Sequence, residues 1–232
     1  MQLNRWRRVS LLEERHLKDM LYQEFARIGK CLSSPKRLEI LDLLSQSPKS
    51  VEKLAKITGM TVANVSQHLQ TLHNARLVSF KKEGNFVIYE LADSAVSDFM
   101  GNLHDLSEKQ SVEVQQIKKE FLNENFKMEG LSLPELKNRM ENGEVLLLDV
   151  RPKEEFEEAH IPGAVSIPID ELEDKLASLP ADFDVVAYCR GPYCLMSVEA
   201  VELMREKGIH AYRLEKSVQD WDQFAKQESN LG

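Results

Sequence analysis

The sequence predicts two domains of different class. Residues 1–127 read as mainly α with one β-hairpin, and residues 128–232 as α/β with a central parallel sheet. Three observations lead there. Residues 35–74 carry apolar positions at helical spacing, broken at Thr58-Gly59, and a short alternating stretch after them reverses at Glu83-Gly84-Asn85. Beyond about residue 130, apolar strand runs alternate with amphipathic helices, the arrangement of a parallel sheet covered on both faces. Charge divides the same way: residues 1–127 hold 19 Lys+Arg against 16 Asp+Glu (+3), and residues 128–232 hold 11 against 22 (−11), together the −8 of the 232-residue chain. Such asymmetry points to separate tasks, with the less acidic half the better candidate for nucleic acid, although +3 alone is close to neutral.

Composition narrows the class. Hydrophobic residues make up 42% and charged ones 29% of the chain, ordinary for a soluble globular protein. No apolar run reaches the roughly 18 residues of a membrane span. The start, MQLNRWRRVSLLEERHLKDM, lacks a long apolar stretch before a small-residue cleavage site, so it does not read as a secretion leader. Three cysteines, an odd number, argue against a disulfide framework. The expected compartment is the reducing cytoplasm, without a membrane partner.

In the first half, SSPKRLEILDLLSQ opens with capping serines and Pro35, then carries Leu38, Ile40, Leu41, Leu43 and Leu44. SVEKLAKI and MTVANVSQHLQTL follow as two short helices joined by a glycine. In the second, Val62, Val65, Leu69 and Leu72 share a narrow arc. Opposite lie Asn64, Gln67, Thr71 and Asn74, with Ser66 and His68 at the borders. That face is polar but uncharged, which suits a helix reading base edges in a groove; a merely solvated face is the alternative. LVSFKKEGNFVIYEL then alternates around its turn, with Lys81 and Lys82 at the tip, where phosphate contacts are expected.

Helix-turn-helix followed by a basic-tipped hairpin is a winged helix. With its order and spacing, KCLSSPKRLEILDLL…SVEKLAKITGMTVANVSQHLQTLHNARLVSFKKEGNFVIYELAD resembles the ArsR family of bacterial repressors. The resemblance implies a homodimer on double-stranded operator DNA with an inverted repeat, bound through the helix at residues 62–73. Helices at about 11–30 and 94–122 would form the dimer interface. Thr61, Asn64, Ser66, Gln67, His68, Thr71, Lys81 and Lys82 are the candidate DNA-binding residues. Metal-sensing members carry cysteines in the first helix of the helix-turn-helix, and SVEKLAKIT has none. Asp98 and His104, six apart, point in different directions; His68 and His73, five apart, cannot share an ion within one helix. No metal and no cofactor are expected. Cys31, the one thiol of this half, reads by default as a buried structural cysteine, with a redox role as the alternative.

The second half poses its question in AYCRGPYCLMS, which sets two of the three cysteines five positions apart. A disulfide clip, half a metal site, an accident and a reactive nucleophile are all open readings. EVLLLDV, DVVAYC and HAYRL read as strands, and SVEAVELMREKGI as a helix ending at Gly208. The active loop of such a fold lies at the carboxyl end of a strand, where the next helix begins. There, helix-start amides and adjacent Arg190 can depress a thiol pKa from about 8.5 to about 7 or lower.

LLDVRPKEEFEEAHIPGAVSIP, YCRGPYCLMSVEAVELMREKG and YRLEKSVQDW resemble the rhodanese domain in order and spacing. The resemblance implies that Cys189 takes a sulfane sulfur from a donor, holds it as a persulfide and passes it to a thiol acceptor. Cys189, Arg190, Gly191, Pro192, Tyr193 and Cys194 give the six-residue loop of sulfur transferases. Related phosphatases and arsenate reductases use a loop one residue longer that ends in Arg; here that position is Leu195, which disfavours phosphatase chemistry. Cys194 is either a small residue at the helix start or a resolving thiol that attacks the Cys189 persulfide. Asp149 and Arg151 match the family's Asp-Val-Arg and are expected to brace the loop, and His160 is expected to be structural. Lys216-Ser217 stands where many rhodanese domains have Gly-Gly, which bears on acceptor access or rate.

The expected protein is a repressor whose operator binding is coupled to reactive sulfur at Cys189. A sulfurtransferase whose DNA-binding part localises or autoregulates it is the rival. A repressor with a vestigial rhodanese domain is the third reading.

Overall fold

The computed structural model describes residues 11–121, 131–176, 179 and 183–229. The N-terminal stretch 1–10 and the expected domain boundary between 127 and 128 lie outside the described residues. Backbone proximity divides the chain into two compact units, Met1–Asn102 and Leu103–Gly232.

The first unit begins with α1 (Leu11–Leu32), α2 (Pro35–Gln46), a short strand β1 (Lys49–Ser50), α3 (Val51–Thr58) and α4 (Val62–Asn74). The wing strands β2 (Val78–Glu83) and β3 (Phe86–Leu91) follow, and then α5 (Ser94–Gln110), within which the division of the chain falls. Local chemistry sets the helix limits. Pro35 occupies the first turn of α2, where its missing N–H costs nothing. Ser50 Oγ accepts from Lys53 N at 3.2 Å and starts α3. Gly59 ends that helix with φ +67°, a left-handed backbone that a side chain disfavours. Two residues later Thr61 Oγ1 accepts from Asn64 N at 3.3 Å and starts α4. Ile40, Leu41, Leu54, Val65, Leu69 and Leu72 are fully buried together and lock the three helices. Val62, placed on the same arc by the sequence, is 47% exposed because it is the first residue of α4 and overhangs the core. β1, too short to leave a periodic signal, pairs with β3 at Lys49↔Tyr89, giving an antiparallel sheet of order β1-β3-β2.

The second unit carries α6 (Val112–Phe121), α7 (Leu133–Glu141), β4 (Val145–Asp149), α8 (Lys153–Glu158), β5 (Val165–Ser166) and α9 (Ile169–Lys175). It continues through β6 (Asp184–Tyr188), α10 (Met196–Glu206), β7 (Ala211–Arg213) and α11 (Val218–Ser229). The sheet is parallel throughout, in the order β5-β4-β6-β7. β5, two residues between a Pro-Gly turn and Pro168, is the strand that the sequence pattern does not reveal. Strand alternation sends successive side chains to opposite faces. Val185, Ala187 and Cys189 pack with Ala200, Val201 and Met204 of α10, while Val186 and Tyr188 pack with Leu136 of α7 and Trp221 of α11. The expected α/β layering with helices on both faces is therefore present. Among the described residues no helix is long and apolar enough to cross a membrane.

Leu69→Ala removes a side chain with no exposed surface from the first core. The expected loss is about 2–5 kcal/mol, read as a lower urea midpoint with an unchanged denaturant slope.

Candidate functional sites

The outer side of α4 exposes Asn64, Ser66, Gln67 and Thr71, and half-buries His68. Its hydroxyls are engaged by the helix itself. Ser66 Oγ donates to Val62 O at 2.8 Å and Thr71 Oγ1 to Gln67 O at 2.9 Å, while Thr61 caps. The carboxamides of Asn64 and Gln67 stand at the surface as groups that both donate and accept, the chemistry needed at base edges. Lys81 and Lys82 lie opposite Ile88 and Val87, beside the Gly84-Asn85 turn. Neighbours on a strand point to opposite faces, so the two lysines are presented on either side of the wing. Lys81 Nζ holds Glu83 Oε1 at 3.1 Å in an exposed pair worth little, which a phosphate could replace. His73, Phe80 and Tyr89 form an aromatic run, with ring centroids 5.2 and 5.4 Å apart, that ties the end of α4 to the wing.

Cys31 is buried, with Sγ 3.8 Å from Thr71 O and its carbonyl taken up by Arg37 Nε. Burial pushes its thiol pKa up, against smaller opposing pulls from Arg37 and Arg27. Burial of this kind favours the protonated thiol over the thiolate that would react.

In the second unit the chain leaves β6 at Tyr188, turns through residues 189–195 and enters α10. Cys189 has no exposed surface, and its sulfur is joined to that of Cys194 across a Cα–Cα separation of 6.4 Å. Cys194 does not cap α10, because Leu195 holds that position without a side-chain bond. Gly191 sits at φ +118°, and a Cβ there would meet Ser217 Cβ at 3.7 Å, so Ser217 abuts the loop. Ser217 Oγ also opens α11 by accepting from Asp220 N at 3.2 Å.

The Arg190 guanidinium makes two bonds to Glu155, Nε–Oε2 at 3.0 Å and Nη2–Oε1 at 2.7 Å. Glu155 is fully buried and neutralises that charge. Asp149 and Arg151 also form a buried pair, closest at 2.6 Å. Arg151 Nη2 donates to Ala159 O at 2.7 Å, and Tyr188 Oη accepts from Ile161 N at 3.1 Å. This pair thus braces the 159–161 turn at the carboxyl ends of β4 and β6, one step from the cysteine loop. Burial, then the Asp149 charge, drives the Tyr188 phenol far above its ordinary value. His160 stacks on Phe156 at 3.9 Å, a structural contact.

Sequence reasoning missed two groups at the loop. Glu155 lies in a run of glutamates that reads as a solvated helix face, and its burial with a two-point bond to Arg190, while Lys153 and Glu154 before it stay exposed, singles it out. Arg213, at the end of β7, is buried and donates to Pro192 O and, at 3.2 Å, to Ser197 Oγ. Among the described residues no group of three or more His, Cys, Asp or Glu side chains could hold a metal ion.

Residues 34–79 match the bacterial regulatory protein, arsR family, and residues 132–224 match the rhodanese-like domain. The HTH-type transcriptional regulator Rv0324 of Mycobacterium tuberculosis is 39% identical over 88% of this chain and 89% of its own. The chain belongs to the ArsR family of HTH-type transcriptional regulators. This ArsR-family regulator is also 32% identical to the HTH-type transcriptional regulator YgaV of Escherichia coli, over 36% of this chain and 86% of that one. It is 36% identical to human thiosulfate:glutathione sulfurtransferase, over 36% of this chain and 83% of that one.

Glu155→Gln leaves Arg190 without a neutralising partner in a buried setting. The regulator is expected to lose about 3–5 kcal/mol of stability in the transition that reports the second unit, measured by urea unfolding followed through Trp221.

Proposed function

We propose that this regulator binds an inverted-repeat operator as a homodimer and that persulfide chemistry at Cys189 controls its occupancy. The observation that carries the reading is the Cys189–Cys194 bond at the carboxyl end of β6, inside a rhodanese-like domain. Donor and product can be written without a further oxidant. The Cys189 thiolate attacks the outer sulfur of a donor persulfide; the donor S–S bond breaks and the donor leaves as its thiolate. The Cys194 thiolate then attacks Cys189 Sγ and expels HS⁻, leaving a Cys189–Cys194 disulfide. Two thiols are oxidised and one sulfane sulfur is reduced to sulfide. Two equivalents of a low-molecular-weight thiol reverse the disulfide.

Dimerisation is supported by α1, where Leu17, Met20, Leu21 and Phe25 are all more than half exposed at helical spacing. An apolar stripe of that size calls for a partner surface. The α4 carboxamides and the wing lysines supply base and phosphate contacts respectively. A tenfold change in operator affinity needs about 1.4 kcal/mol of difference between the sulfur states, comparable to one altered buried hydrogen bond.

A second reading rests on a separate observation, the likeness to thiosulfate:glutathione sulfurtransferase. Here Cys189 passes its sulfur to an acceptor thiol before Cys194 attacks, and the DNA-binding domain localises or autoregulates the enzyme.

Replacing Lys81 and Lys82 with Ala is expected to weaken binding alike on all sequences and to lower the salt slope by about one unit for each phosphate that is no longer neutralised. Asn64→Ala or Gln67→Ala is expected to relax base preference instead, by about 1–3 kcal/mol for each base read. Selection of operators from a random DNA pool reads both, and failure of the intact protein to select any inverted repeat refutes the DNA reading.

Polysulfide is expected to release wild-type protein and Cys31→Ser from operator, while Cys189→Ser stays bound. Mass spectrometry is expected to find the added sulfur on Cys189 and, after it, the Cys189–Cys194 disulfide. If Cys189→Ser releases DNA as readily as wild type, the enzyme reading takes over.

A further inference from the structure

The stretch expected as one dimer helix at 94–122 is two, α5 and α6, broken at Ser111, and within the second unit it contributes to a group of side chains that the reading above leaves unused. α6 lies outside the 132–224 rhodanese match, yet its Lys118 is only 6% exposed on an otherwise largely exposed helix. Burying a lysine is unfavourable unless it is paired, and an apolar residue would fill the same space at lower cost. Lys118 Nζ is hydrogen-bonded to Glu108 and lies 3.7 Å from Glu215 Oε1. Glu215 in turn holds Arg213 Nη1 at 3.3 Å.

Arg213 is placed by the sheet. Its Cα pairs with Ala187 on β6, two residues before Cys189. From there the guanidinium takes the Pro192 carbonyl and Ser197 Oγ, and Ser197 Oγ donates to the Cys194 carbonyl at 3.3 Å. One cation therefore draws the middle and the end of the loop. In a trans peptide the C=O and the following N–H point in opposite directions. Holding the Pro192 and Cys194 carbonyls on the Arg213 side turns the Tyr193 and Leu195 amides away from it. Tyr193 itself is held from outside the loop: His104 meets its ring edge-on at 5.1 Å and Lys118 lies 5.8 Å from its centroid. Burial, followed by the charges of Glu108, Asp105 and Glu215, pushes the Tyr193 phenol up to about 12, so the ring stays neutral.

We infer that Arg213, Glu215 and Lys118 are positioning residues of the Cys189 loop, which makes α6 a working part of the sulfur site. The inference rests on the sulfur-transfer reading of Cys189 and deepens it. Because Glu155 already neutralises Arg190, the alternating charges of Arg213, Glu215, Lys118 and Glu108 set the electrostatic balance on the other side of the loop. Each single neutralisation changes that balance by one charge of known sign. A purely structural role has no reason to follow that sign.

The test uses the full chain, reduced with a phosphine and alkylated at a series of pH values, with Cys189 and Cys31 resolved by mass spectrometry. Arg213→Gln is expected to slow Cys189 alkylation at pH 7 about tenfold, a rise of about one unit in its midpoint. Lys118→Met is expected to slow it about threefold and Glu215→Gln to quicken it about threefold, with Lys118→Arg restoring the wild-type profile. Cys31 serves as the internal reference and is expected to stay slow throughout. If Arg213→Gln fails to fold, the opposed shifts of Lys118→Met and Glu215→Gln still decide the matter. Shifts of the same sign, or no shift, in a protein whose Cys189 still accepts sulfur from polysulfide overturn the positioning circuit alone. A wild-type Cys189 that titrates like an exposed cysteine and takes up no sulfur overturns the sulfur-transfer reading beneath it.

Discussion

The parallel pairing of β4 with β6, in the register Leu148↔Ala187 and Asp149↔Tyr188, brings two chain segments to a common carboxyl edge. Everything chemical in the second unit hangs from that edge. Parallel strands need a long crossover, so residues far apart in sequence end side by side, and the crossover helices close over both faces. The Asp149–Arg151 pair then locks the turn after β4, and Tyr188 ties the end of β6 to the same turn through Ile161. Without that edge the cysteine loop would have neither a fixed root nor a partner for Arg190.

Around the loop the charges are paired almost as completely as the backbone is bonded. Glu155 satisfies Arg190 from below, and Glu215 meets Arg213 and Lys118 from the side. A buried ion pair is weak evidence for stability, since desolvation offsets its attraction, but it is a strong constraint on geometry. The result is a loop whose conformation is imposed by neighbours instead of by its own sequence, with Gly191 supplying the one backbone angle that other residues resist.

The first unit works by a different economy. Its core is apolar, and the exposed face of α4 carries few charges and many short polar groups. Capping decides most of it: Ser50 and Thr61 begin the two helices of the helix-turn-helix, and Gly59 breaks between them. The same Thr61 that the sequence proposes for DNA is thereby committed to a backbone amide, and Ser66 and Thr71 turn back onto their own helix. Cys31 illustrates the opposite case, a polarisable thiol whose burial pushes its pKa up.

Local signals were enough for the two classes of fold, for α2, α3, α4 and α10, for the wing, and for the contiguous loop from Cys189 to Cys194, while the flanking helices of the first half came from the family resemblance. These features depend on periodicity, caps and neighbours along the chain, all of which are written within about a dozen residues. Packing between distant segments assigns the rest. It buries Glu155 out of a run of otherwise ordinary glutamates, sets Arg213 beside Pro192, and brings Lys118 from before the rhodanese-like domain onto its loop. It exposes Val62 despite its apolar type and joins Cys194 to Cys189. The burial of a charged side chain, and the partner that makes that burial tolerable, are properties of three-dimensional neighbours, and no window along the sequence contains them.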